Sequence, residues 1–113
     1  MDIDVTRQGG AAVVRLRGRI VDGDPELHLR DTLQKLVQEN ELNTIIDFEG
    51  VTWFDSLAIG VLVSHYVSTT KRGGRIIFVN ANDRIHSLMQ LARLDDRFEW
   101  ATSVDEAIQS LDA

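Results

Sequence analysis

There is no cysteine in the sequence, which excludes disulfide bonds, thiol catalysis and zinc held by thiolates. Nor is there an apolar run near the roughly 20 residues that a bilayer-spanning helix needs. The first residues, Met1-Asp2-Ile3-Asp4-Val5-Thr6-Arg7, are acidic and alternating, unlike the cationic start and apolar stretch of a secretory signal. The expected compartment is therefore the cytoplasm, without direct membrane insertion. Clustered cations are scarce too. A formal net charge of −6 argues against a general nucleic-acid binder, because phosphate binding wants grouped Lys and Arg. The one local basic row, Arg15, Arg17 and Arg19, alternates along a predicted strand and reads as a solvated sheet face.

What is present fits one folded domain spanning residues 1–113. At 113 residues, 43% hydrophobic and 27% charged, the chain can bury roughly two thirds of its unfolded surface without metals or disulfides. Ile3 and Val5 alternate with polar residues, and Gln8-Gly9-Gly10 turns into Ala11–Gly18, so the chain opens with a β-hairpin. In Asp22-Gly23-Asp24-Pro25, Asp24 is expected to cap a helix whose first position is the single proline. Leu29, Leu33, Leu36 and Val37 continue it at helical spacing. Ile45 and Ile46 mark a buried strand that Glu49-Gly50 should end, and 75–79 marks another. The helix between these two strands requires a right-handed crossover, so the strands should lie parallel. Ile85, Leu88, Met89 and Ala92 form a third amphipathic helix, 98–100 a short strand, and Ser103-Val104-Asp105-Glu106 a capping box opening a final helix. The expected fold is α/β: a mixed sheet of about four to five strands opening with a hairpin, with about four packed helices.

The stretch Val51 to Val63 organises the rest. Asp55 stands where its carboxylate can accept hydrogen bonds from the first helical turn, a cap of about 1 kcal/mol, which makes Ser56 the first helical residue. At 100° per residue, Ala58, Ile59, Leu62, Val63, Tyr66 and Val67 share a broad apolar arc. Gly60, Ser64, His65 and Ser68 occupy the remainder. Leu57 and Val61 fall among these polar positions, so either a loop covers them or they form a small exposed contact surface.

Known chemistries find little purchase here. A serine hydrolase elbow wants glycine two residues before and after the serine, where Ser56 has Phe54 and Ala58. His28, His65 and His86 lie on three different predicted helices without mutual ligand spacing, and read as surface or half-buried residues. No phosphate-binding loop is present, and Gly73-Gly74 is too common to count as one. Asp47 at a strand end invites comparison with a phospho-aspartate receiver, but the opening hairpin does not supply that site's second acidic cluster. No metal or cofactor is expected, and no enzyme. On the residues alone, Asp55 and Ser56 need do no more than start a helix. A phosphoryl group on Ser56 would nevertheless suit a helix end that favours anions, and its charge of about −1.5 to −2 would obstruct docking on Leu57, Gly60 and Val61.

The run Asp55-Ser56-Leu57-Ala58-Ile59-Gly60-Val61-Leu62 resembles the Asp-Ser-Ser-Gly-Leu-Gly-Val-Leu signature of the STAS domain. That is the fold of bacterial anti-sigma factor antagonists and of the cytoplasmic tails of sulphate transporters. The resemblance extends to Leu16-Arg17-Gly18-Arg19-Ile20, to 44–54, to Gly73-Gly74-Arg75 and to 103–111. It implies a phosphorylation-switched binding protein that docks on a serine-kinase anti-sigma factor and so releases a sigma factor. By the same resemblance Ser56 matches the phosphoacceptor, Asp55 the motif aspartate and helix cap, and Gly60 the second motif glycine. Leu57, Ala58, Gly60, Val61 and Ser64 become the expected partner-binding residues. Two positions depart from the signature, Leu57 for its second serine and Ala58 for its first glycine, and the 22–25 turn carries two aspartates where one is usual. These departures suit a second reading: a constitutive scaffold subunit of a stress-signalling assembly or of a lipid or anion transport complex.

Overall fold

The strands and helices of the computed structural model, which describes residues 2–94 and 96–112, alternate after an opening hairpin. Strand β1 (Asp2–Gln8) pairs antiparallel with β2 (Ala11–Ile20) across the two-residue turn Gly9-Gly10. There follow α1 (Asp24–Gln38), β3 (Thr44–Phe54), α2 (Ser56–Thr70), β4 (Ile76–Val79), α3 (Asp83–Leu91), β5 (Glu99–Ala101) and α4 (Val104–Asp112). The five strands form one sheet in the order β1-β2-β3-β4-β5, and β2 to β5 run parallel. The α/β class, the hairpin and the parallel crossover are those expected from the sequence.

Three expectations need correction. Strand β3 does not stop at Glu49-Gly50 but runs on to Phe54, because β2 accompanies it through two register shifts, one of them opposite Gly50. Glycine is needed there, since a β-carbon at position 50 would lie 2.6 Å from Arg17 Cγ. Helix α1 is capped not by Asp24 but by Gly23, whose φ of 99° lies in the region glycine adopts freely. Asp24 instead occupies the first helical turn, where its charge complements the helix dipole. The last strand sits one residue later than expected, which frees Phe98 for the core.

Most of the core lies on one face of the sheet, where α1, α2 and α3 contribute Leu29, Leu33, Leu62, Ile85 and Met89. The few aromatic residues are concentrated there. Phe48 meets Phe54 at 5.5 Å and Phe78 at 5.6 Å, and Phe98 meets Phe78 at 4.8 Å and Tyr66 at 5.1 Å. Each fully buried phenylalanine contributes about 1.5–3 kcal/mol relative to an exposed one. On the other face α4 covers only Ala11, Val13, Ile45, Ile77 and Val79 with Ala107. Arg15 and Arg17 remain accessible beyond it, Arg15 at 3.7 Å from Asp47 and Arg17 at 3.5 Å from Asp4.

Candidate functional site

The parallel strands deliver three connections to one end of the sheet, those following β2, β3 and β4. The middle one is a single residue, Asp55, between Phe54 and Ser56. Its extended backbone lets the side chain reach back over the helix start, where Oδ1 accepts from the Ala58 amide at 3.0 Å. Oδ2 accepts from the Asp22 amide at 3.0 Å, and the Asp55 amide donates to the Ile20 carbonyl at 3.3 Å. One carboxylate therefore caps α2 and ties it to the loop between β2 and α1. The capping is as expected from the sequence. The tie to Asp22 is not, because residues 33 apart come together only through the parallel pairing of β2 and β3.

Ser56 is the first residue of α2 and is exposed. Among the described residues no group hydrogen-bonds its hydroxyl, and no histidine or carboxylate is placed as its base. Its position at a helix N-terminus favours a negative charge. Leu57 beside it is 50% exposed, and Gly60 and Ser64, one and two turns further on, are exposed as well. A β-carbon at Gly60 would meet no atom within 4 Å, so this glycine answers to no packing constraint.

The remaining expected contact residues are placed differently. Ala58 is fully buried in the main core, and Val61 is 5% exposed. The expected pairing of Leu57 with Val61 is thus split, because α1 packs on α2 and covers Val61 but not the turn before it. The same packing corrects the reading of His65, which is 4% exposed rather than a surface or half-buried residue and shares a 3.1 Å hydrogen bond with Thr44 Oγ1. Burial pushes its pKa down from 6.5 to about 4, so the imidazole is neutral at pH 7.

Trp53 belongs to none of the sequence-predicted contact residues. It is 42% exposed, with the Arg84 guanidinium 3.6 Å above its ring, a cation–π contact joining the end of β3 to the start of α3. The available signal was strand alternation, which sets Trp53 opposite the buried Phe54. Leu27, in the first turns of α1, is also exposed. Among the described residues no cluster of histidines and carboxylates could hold a metal ion, and no helix is long and apolar enough to cross a membrane.

Comparison with known proteins adds to this geometry. A family model described as the STAS domain matches residues 2–107. No curated protein sequence matches the chain. Among solved structures, an anti-sigma factor antagonist from Mycobacterium paratuberculosis superposes with a TM-score of 0.87 at 20% identity, covering 99% of this chain and 94% of its own. The phosphorylated form of the Bacillus cell fate determinant SpoIIAA gives a TM-score of 0.78 at 20% identity, covering 97% and 99%. A sulfate transporter family protein from Wolinella succinogenes gives 0.69 at 16%, covering 91% and 85%. At these identities the likeness is one of fold.

Proposed function

The chain belongs to the STAS domain family, and from that premise we propose that it acts as an anti-sigma factor antagonist, a non-enzymatic binding protein switched by phosphorylation of Ser56. In this reading the unmodified protein, in the bacterial cytoplasm, docks on a serine-kinase anti-sigma factor and so releases a sigma factor. The docking surface comprises Ser56, Leu57, Gly60 and Ser64 with the adjoining loops. Ala58 and Val61 support it from beneath.

The observation that carries the reading is an exposed serine at the first position of a helix whose neighbouring aspartate already satisfies the cap. Because Asp55 performs the capping, the Ser56 hydroxyl is free to be modified without cost to the helix. A phosphate there is compatible with the folded domain, since a helix N-terminus stabilises an anion by about 0.3–1 kcal/mol at an exposed position. It is incompatible with a partner seated against Leu57, because docking would strip water from a group carrying a charge of about −1.5 to −2. The switch therefore acts on association and leaves the fold in place.

Binding to the cognate kinase, measured by calorimetry with the wild type, Ser56→Ala and Ser56→Asp, tests this directly. Ser56→Ala should bind about as tightly as wild type and resist phosphorylation. Ser56→Asp should bind at least about tenfold more weakly, a difference of about 1.4 kcal/mol. Wild-type affinity in Ser56→Asp would contradict the switch.

The second reading, a constitutive scaffold, is favoured by one observation: Leu57 and Ala58 replace the signature's serine and glycine, leaving Ser56 as the only hydroxyl at the turn. Stable co-purification with a large assembly or a transporter, unchanged in Ser56→Asp, would favour it.

A further inference from the structure

Between α1 and α2, beginning at Gly60 one turn beyond Ser56, lies a cleft of about 250 Å³. Its buried lining includes Leu33, Val61 and His65, while Arg30, Ser64 and Ser68 are exposed at its mouth. No carboxylate lines it.

The tautomer of His65 follows from its surroundings. Thr44 is fully buried, and among the described residues its hydroxyl meets only His65 Nε2. A threonine hydroxyl can donate one proton, and burying it without an acceptor costs about 1–3 kcal/mol. The Thr44 hydroxyl therefore donates to Nε2, which places the imidazole proton on Nδ1. That Nδ1–H has no hydrogen-bond partner among the described residues. It is not sealed either, because no fully buried side-chain nitrogen or oxygen lacks a partner. A residue that is almost wholly buried and lines the cleft thus keeps one donor without a partner among the described residues.

The other groups at the cleft refine what would satisfy that donor. Arg30 gives one Nη to Glu26 and keeps further N–H groups for another acceptor. Ser64 and Ser68 supply hydroxyls, while Leu33, Val37 and Val61 supply apolar surface. The charge of Arg30 is paired with Glu26, but its remaining N–H groups, the His65 donor and two hydroxyls converge on a cleft with no acidic residue in its lining, a set that suits an acceptor with two oxygens such as a carboxylate. The volume lies below the roughly 300 Å³ at which drug-sized sites begin, so the ligand is small.

We propose that this cleft binds a small monocarboxylic acid, its carboxylate accepting from His65 Nδ1–H at the floor and Arg30 at the mouth. Its short apolar body lies against Leu33, Val37 and Val61. The cleft shares Gly60 and Ser64 with the proposed docking surface, but its anchoring groups, His65 and Arg30, lie outside that surface, so the site is tested without the kinase and its failure is distinguishable from that of the Ser56 switch.

Titration of the ¹⁵N-labelled protein with sodium isovalerate, followed by amide shifts, tests the site, with isovaleramide as an uncharged probe of the same shape. Saturable shifts confined to residues around Gly60, Ser64 and Ser68 are expected, about tenfold weaker binding for isovaleramide, and loss of binding in Ser68→Phe, which fills the cleft from its exposed side. Shifts that rise linearly without saturation, that scatter over the surface, or that are equal for the two probes would overturn the proposal. A second measurement needs no variant: long-range ¹H–¹⁵N correlation on the unliganded protein should show the His65 proton on Nδ1, and finding it on Nε2 would remove the donor on which the site depends.

Discussion

Two side chains, one capping α2 and one within it, show how much a single residue can be asked to do. Asp55 accepts from the amides of Ala58 and Asp22, so its loss removes a helix cap and the tie to the β2–α1 loop together. Asp55→Ala should cost about 1–3 kcal/mol in urea unfolding, and Asp55→Asn less, because the amide oxygen can still cap. His65 carries a stability that depends on pH. Unfolded, it titrates near 6.5; folded, burial holds it down to about 4. Between those values the unfolded chain binds the extra proton, so this contribution is complete above pH 6.5 and is lost as pH falls toward 4. The loss amounts to about 3 kcal/mol, and His65→Gln should flatten the pH dependence of unfolding over that window by a similar amount. An unchanged profile in that variant would mean that His65 is not buried as described. The Asp55 cap was legible in the sequence because capping is local. The burial of His65 was not, since on a helical projection it shares an arc with Gly60, Ser64 and Ser68, and only the packing of α1 tells them apart.

At the scale of elements, α2 is covered on two sides, by the sheet and by α1, and this explains where its periodicity misled. A helix packed on a single surface shows one apolar stripe, whereas here Ala58, Ile59, Leu62 and also Val61, His65 and Thr69 are buried. Val67, assigned to the inner arc by spacing, is instead exposed. One side of the helix stays open, and Gly60 lies on it with no atom near its missing side chain. Gly60→Ala should therefore raise stability by up to about 1 kcal/mol, as expected for an exposed helical glycine. The same variant should weaken docking on the kinase, because the added methyl stands on the proposed contact surface. Stabilisation with unaltered binding would remove Gly60 from that surface. Strand β3 offers the converse lesson: Glu49-Gly50 looks like a terminator, yet the glycine permits β2 to approach closely and the strand to continue to the site.

For the whole molecule, the parallel order β2-β3-β4 brings the loops after three strands to one end of the sheet, and the site lies there because Asp55 joins two of them. The hairpin, the crossover and the number of helices could be read from turn residues and periodicity, since each is announced within a few positions. The meeting of Asp22 with Asp55, and of Trp53 with Arg84, could not, because these contacts depend on register between strands and on where a later helix begins. The Trp53–Arg84 contact also flanks the proposed docking end. Trp53→Ala should leave thermal unfolding within about 1 kcal/mol of wild type, since the ring is 42% exposed, while lowering affinity for the kinase in calorimetry; unaltered affinity would confine the docking surface to α2. The account turns on whether Ser56 is a regulated phosphoacceptor. Phosphopeptide mass spectrometry of the protein isolated from its own cells, with and without stress, addresses that claim most directly. Phosphate on the Ser56 peptide, changing in occupancy between conditions, is the expected result. A Ser56 that stays unmodified in every condition would contradict the switch and leave the constitutive scaffold as the better description.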